Sequence, residues 1–162
     1  MRVKAAVGLH SITVAWAIST GDPIVPVPTL VEVPRVLGEP FRALGYAPET
    51  VVAEKGVAIL ERGITSTRWR DYIDIVRLAE ECGLDSDLLL EAAQAIARYR
   101  QITLGPIAAV VVGYGALAQA KWAAWRRKEG LEDMSEADLD DQMTRVAAVL
   151  DPVFNKAQRA SR

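Results

Sequence analysis

Residues 46–82 read YAPETVVAEKGVAILERGITSTRWRDYIDIVRLAEEC, and the spacing of their apolar residues decides the fold class. Apolar positions recur every three or four residues, which predicts two amphipathic helices, Glu49–Arg62 and Arg68–Cys82. Pro48 and Glu49 suit a helical first turn, and Gly63 and Gly83 suit the two stops. On a wheel of about 100° per residue, Lys55 falls inside the first apolar arc, between Val51 and Ile59, while Glu54 and Glu61 share the solvent side. The second arc holds Trp69, Tyr72, Ile75, Val76, Leu78, Ala79 and Cys82, and Asp71 falls inside it. Cys82 reads as a packed residue. Arg70, Asp74, Arg77 and Glu81 read as a polar face of solvated i,i+3 and i,i+4 pairs.

Working toward the C-terminus, three more helices follow. One starts after Asp85 and runs to Arg100; its narrow polar arc (Glu91, Gln94, Arg98) predicts the most buried helix of the set. Ala116–Glu129 is the next, ended by Gly130. The last opens with Ser135-x-x-Asp138, a capping-box-like pattern, and carries the stripe Leu139, Met143, Val146, Ala147, Leu150. Glu136, Asp138, Asp140 and Asp141 crowd its first turns, where the helix dipole favours negative charge. The final eight residues read as a frayed end. The uncharged run Ile102–Ala120 contains Pro106, three glycines, Thr103 and Gln119, which predicts a buried turn into a core helix and not a membrane span.

Toward the N-terminus the pattern changes. Val3–Val7 and Ile12–Ile18 read as two strands around a Gly8–Ser11 turn, with Ile12, Val14, Trp16 and Ile18 on one face. His10 falls in that turn, and Asp22, after Gly21, reads as a turn residue. Prolines at 23, 26, 28 and 34 forbid a helix and predict an extended connector. The fold class is therefore α+β, a β-hairpin leading into five helices, with residues 1–45 as a partial sheet plus connector and 46–162 as a helical domain. A lone hairpin has two open edges and is marginal in water. The element count thus points to the end of an α+β domain whose earlier strands are missing, and to pairing of an open edge with a second copy or a partner. The chain's own helices are expected to cover the Trp16 face.

Composition bounds the chemistry. The chain has 162 residues, 19 Lys+Arg against 21 Asp+Glu, 51% hydrophobic and 25% charged residues. That supports a core in one domain and excludes global disorder. A net charge of -2 excludes whole-molecule electrostatic binding of nucleic acid, so any such contact needs a local patch. Cys82 and His10 are the only residues of their kinds, which excludes an internal disulfide, a multi-cysteine zinc site and a two-histidine metal site. No metal ligand set is read from the sequence. The N-terminal MRVKAAVGLHS lacks the features of a signal peptide, which predicts a cytoplasmic protein.

Lys55 and Asp71 are the two charges the helical pattern does not place in solvent. Two readings stand: a buried Lys–Asp strut between helices, or a site with a cation for phosphate and a carboxylate for a sugar, base or proton. A second constellation is Lys121, Trp122, Trp125, Arg126, Arg127 and Lys128. It reads either as a core-facing Trp pair with basic flanks or as an RNA-backbone surface with stacking aromatics. Lys121–Trp125 and Trp122–Arg126 have the spacing for cation–π contact. Gly113-Tyr114-Gly115 lacks a following phosphate-loop pattern.

The segment Tyr46–Lys55 resembles the "Y-P-x-E-T-V-x-A-E-K" signature of AbiEii/AbiGii-type nucleotidyltransferase toxins, and Thr67–Ile75 resembles their "S-R-x-[KR]-D-[FY]-x-D" segment. Ile18–Ile24 resembles the family's strand exit, and the Lys121–Lys128 block with the final helix resembles its C-terminal part; the likeness runs from residue 12 to 155. The resemblance implies a polymerase-β-like nucleotidyltransferase core followed by a helical domain. It also implies NTP and Mg²⁺ as cofactors, RNA or tRNA ends as substrate, an antitoxin partner, and a toxin–antitoxin or phage-defence role. It puts Lys55 and Asp71 in the catalytic cleft and adds Arg68, Arg70 and Asp74 to Lys55 on the nucleotide. The chain departs from the family in having no Asp-x-Asp pair before Ile12 and in carrying Ala17 where the third metal carboxylate would sit; neither Ala15 nor Ala17 can bind a metal. The expectation is a degenerate, N-terminally truncated member that is inactive alone. The alternative is a non-catalytic protein- or RNA-binding module.

Overall fold

The computed structural model describes residues 2–15 and 21–160. The order is β1 Arg2–Val7, β2 His10–Ala15, β3 Thr29–Val33, β4 Phe41–Gly45, then six helices: α1 Pro48–Arg62, α2 Trp69–Cys82, α3 Ser86–Arg100, α4 Ile107–Val110, α5 Tyr114–Glu129 and α6 Leu139–Ala160. The class is α+β, as the periodicities predict, and α1, α2, α3 and α5 begin and end within two residues of their expected bounds, whereas the last helix starts at Leu139, after Asp138, and not at the expected Ser135.

The strands form two separate antiparallel hairpins. Val3 pairs Val14 and Ala5 pairs Ile12 in the first; Leu30 pairs Leu44 and Val33 pairs Phe41 in the second. The second hairpin corrects the expected connector. Its strand Thr29–Val33 fits between Pro28 and Pro34, and its partner follows Pro40. Prolines at the ends of edge strands remove no ladder hydrogen bond, so they frame these strands instead of forbidding them. Ile12 and Val14 are exposed, so the helices do not cover that face of β2 as expected; Trp16 and Ile18 lie outside the described residues. His10 opens β2 and does not sit in the turn.

Among the described residues the core lies in the helical body. It gathers Val52, Tyr72, Ile96, Trp122, Met143 and Phe154, among others. Its most enclosed helix is α1, not α3: eight residues of α1 are buried against five of α3. α1 packs on both α2 and α3, and its Gly56 admits the side chains of Phe154 and Leu150, to which a Cβ would come within 2.9 and 3.0 Å. α3 packs on α1 and α6 and leaves Glu91, Arg98 and Tyr99 exposed.

Carboxylates close several helix ends. Asp85 caps α3, accepting the N–H of Asp87 at 2.8 Å and of Leu88 at 3.1 Å. Asp138 does the same before α6, accepting from Asp140 at 2.7 Å and Asp141 at 3.2 Å. Ser135 is therefore not the cap; its hydroxyl donates to the Leu131 carbonyl and accepts from Arg126. Two acids of α6 cap other helices: Asp140 accepts the N–H of Gly115 at 2.7 Å, and Asp151 that of Ile107 at 2.6 Å. α6 continues through Pro152 to Ala160 and so does not fray from residue 155. No helix among the described residues is long and apolar enough to cross a membrane.

Candidate functional site

Lys55 projects from the middle of α1 toward the first turns of α2. Its Nζ lies 2.5 Å from Asp71 Oδ1 and 3.0 Å from Asp74 Oδ2. The other Asp71 oxygen, Oδ2, lies 2.9 Å from Arg68 Nε. Two cations and two carboxylates thus form one cluster. Asp74, expected to be a solvated surface charge, belongs to it because one helical turn separates it from Asp71 on the side facing α1. No ion pair joins Arg70, which is exposed, to this cluster.

The cluster is closed at one end and open at the other. Side-chain exposure is 8% for Asp71 and 18% for Lys55, but 35% for Asp74 and 48% for Arg68. Burial lowers the Lys55 pKa, but the hydrogen bonds to Asp71 and Asp74 outweigh it and hold the ammonium above its usual range. The cluster can present fixed positive charge to an anion at the Arg68 edge. Every Asp71 oxygen is already engaged by a cation, and no group of three His, Cys, Asp or Glu among the described residues could hold a metal. The side chains therefore do not fit Mg²⁺ as they stand.

The second constellation divides. Trp122 is buried and Trp125 partly so, with ring centroids 5.5 Å apart; Trp69 meets them at 6.3 and 5.6 Å. The Trp pair is thus core-facing, tied to the start of α2 beside Arg68. Arg126 is buried and donates to the Ser135 hydroxyl and to the carbonyls of Glu132 and Ser135, with its guanidinium 5.8 Å from the Trp122 ring. Lys121, Arg127 and Lys128 remain exposed.

Three features escape sequence reading. Asp22 is no mere turn residue: its carboxylate takes two hydrogen bonds from Arg100 at the end of α3, one of them Nε to Oδ1 at 2.9 Å. Tyr114, between the two glycines, joins a buried set of hydroxyls and an indole N–H. Cys82 is exposed and does not pack. A polar residue flanked by glycines was the one available signal for Tyr114; nothing local marks Asp22 as the partner of a residue 78 positions away.

A family model described as "Nucleotidyl transferase AbiEii toxin, Type IV TA system" matches residues 5–157. No curated protein and no solved structure matches.

Proposed function

This chain belongs to the AbiEii nucleotidyltransferase toxin family of type IV toxin–antitoxin systems, and on that premise we propose that Lys55 and Asp71, with Arg68, Arg70 and Asp74, form the part of a nucleotidyltransferase cleft that faces the nucleoside triphosphate. The observation that carries this reading is the asymmetry of the cluster: Asp71 is enclosed, while Arg68 and Asp74 open to solvent. On that open side Arg68, half-exposed beside Asp74, is the cation offered to a phosphate. Lys55 and Arg68 supply charge for phosphate oxygens, and Asp71 holds both cations in place.

Transfer of a nucleotide to RNA or a tRNA end is the reaction the family implies. Lys121, Arg127 and Lys128 on α5, with the rim of Trp125, are the surface offered to RNA; Arg126 serves the fold instead. The polymerase-β-like part corresponds to residues 1–45 and the helical domain to 46–162. The setting is a cytoplasmic toxin–antitoxin or phage-defence pair, with a cognate antitoxin as functional partner.

The 162 residues alone are degenerate. Positions 15 and 17 are alanine, and two-metal transfer needs carboxylates around the paired ions. With tRNA, Mg²⁺ and labelled nucleoside triphosphates, the chain is expected to incorporate no label, yet to bind ATP in a manner lost in Lys55→Ala. Label incorporation that disappears in Lys55→Ala overturns the inactivity; ATP binding unchanged by that substitution overturns the site. A binding-module reading finds support in the exposed apolar residues of both hairpins, Ile12, Leu30, Val31 and Leu44, which suit pairing with another chain or a second copy.

A further inference from the structure

Tyr114 opens α5 and is almost fully enclosed. Its hydroxyl donates to the carbonyl of Ser66. It accepts the indole N–H of Trp69 at 2.9 Å and the hydroxyl of Tyr72 at 3.4 Å. A phenol has one donor and two acceptor positions, so all three are used. Ser66 follows the short 3₁₀ turn Gly63–Thr65 that joins α1 to α2. Its own Oγ accepts the N–H of Arg68 at 3.2 Å. Arg68 has φ -84° and ψ 53°, outside helical values, so the loop and not α2 sets the direction of its side chain. Its Nε then reaches Asp71 at 2.9 Å, and Asp71 reaches Lys55 at 2.5 Å.

Hydrogen bonds and ion pairs, joined through the covalent frames of Ser66 and Arg68, thus lead from α5 to the ammonium of Lys55. We propose that Tyr114 is a positioning residue for the Lys55 cluster: by fixing the Ser66 carbonyl it fixes the bend from which Arg68 leaves, and so keeps Arg68 on Asp71 and both cations aligned toward the phosphates of a nucleoside triphosphate. This rests on the nucleotide reading of the cluster given above. Tyr114 itself touches no substrate in this scheme. Burial chiefly raises the Tyr72 pKa, so its phenol keeps the proton it donates to Tyr114.

Tyr114→Phe removes the hydroxyl and leaves the ring volume. In a folded variant, the Arg68 Nε–H should exchange with solvent about tenfold faster by ¹⁵N NMR, and ATP should bind about tenfold more weakly by calorimetry, the scale of one lost hydrogen bond. Ser66→Ala, which frees the Arg68 N–H from the other side, should move both readouts the same way, and Ser66→Thr should restore them. Wild-type Arg68 exchange and ATP affinity in folded Tyr114→Phe overturn the proposal. If Tyr114→Phe does not fold, Tyr114→4-fluorophenylalanine, which fills the place of the hydroxyl without a donor for the Ser66 carbonyl, decides on the same readouts. A wild-type chain that binds no ATP sinks the nucleotide reading, and the Arg68 signal then still decides whether Tyr114 positions the cluster.

Discussion

Lys55 and Asp71 each keep a second partner. If Lys55 is lost, Asp71 still has Arg68; if Asp71 is lost, Lys55 still has Asp74. Breaking an isolated buried pair costs roughly 3–5 kcal/mol, but here neither charge is stranded. Lys55→Met and Asp71→Leu are therefore each expected to cost about 1–2 kcal/mol, and the double variant less than their sum, because the groups touch. Urea melts of the four proteins measure it; additive losses would show that the 2.5 Å contact carries no coupling. Lys55 also gives a pH dependence. Its folded pKa is raised above 10.5, so the folded state holds the proton more tightly than the unfolded chain does. Its contribution is fully present below pH 10.5 and is lost as pH rises through the folded value. Tyr72, raised from 10.0, acts in the same direction. The urea midpoint should fall from about pH 10 upward, and Lys55→Met with Tyr72→Phe should flatten that alkaline limb. A midpoint independent of pH up to 11 would contradict both shifts.

Helix α5 begins at a point of very close approach. A Cβ on Gly115 would lie 2.3 Å from Asp140 Oδ2, the carboxylate that caps the Gly115 N–H. Gly115→Ala must push Asp140 away, losing a cap and straining the α5–α6 contact, at a cost of about 1–3 kcal/mol. Asp140→Ala loses the cap without the clash, so adding it to Gly115→Ala should recover part of the loss. Thermal melts of the three variants check this, and a Gly115→Ala protein as stable as the parent would show that the approach is not tight. This contact also explains where sequence reading stopped. The stripe Leu139–Leu150 and the wheel positions of Lys55 and Asp71 are local periodicities, and they placed helices and cluster correctly. The glycine of GYG and the acid of α6 matter to each other only through tertiary packing, 25 residues apart. The second hairpin was hidden for another reason: Pro28, Pro34 and Pro40 read as breakers of the whole stretch, although the strands fit between them. Asp74 was misplaced because a wheel assigns a face to solvent without knowing that α1 lies beside it.

Among the described residues, Asp22, Val25 and Thr50 supply links between the first 45 residues and the helical body. Every fully buried core residue among the described residues lies between Val52 and Ala157. From the first 45 residues, Val25 packs against that core, its carbonyl accepts from Thr50 at 2.5 Å, and Asp22 is clamped by Arg100. Residues 46–162 should therefore fold without the rest. The isolated fragment loses the clamp and the Thr50 bond, together about 1–3 kcal/mol, which corresponds to a melting point lower by roughly 4–20 °C. Arg100 is not left bare, since Glu61 and Glu54 stay at 3.4 and 3.7 Å from it. Acid behaviour gives an independent check. The hydrogen bonds from Arg100, opposed by burial, hold the Asp22 carboxyl below 3.8 in the folded chain, so its contribution is present above pH 3.8 and lost as pH falls through the lower folded value. The full chain should lose part of its stability in that window; the fragment, lacking Asp22, should lose less, and Asp22→Asn in the full chain should behave like the fragment. Circular dichroism with urea titration at pH 7 and pH 3 separates the cases. A fragment that shows helical signal but no cooperative unfolding would mean that residues 1–45 are part of the core's closure, and the boundary at 45/46 would then be wrong.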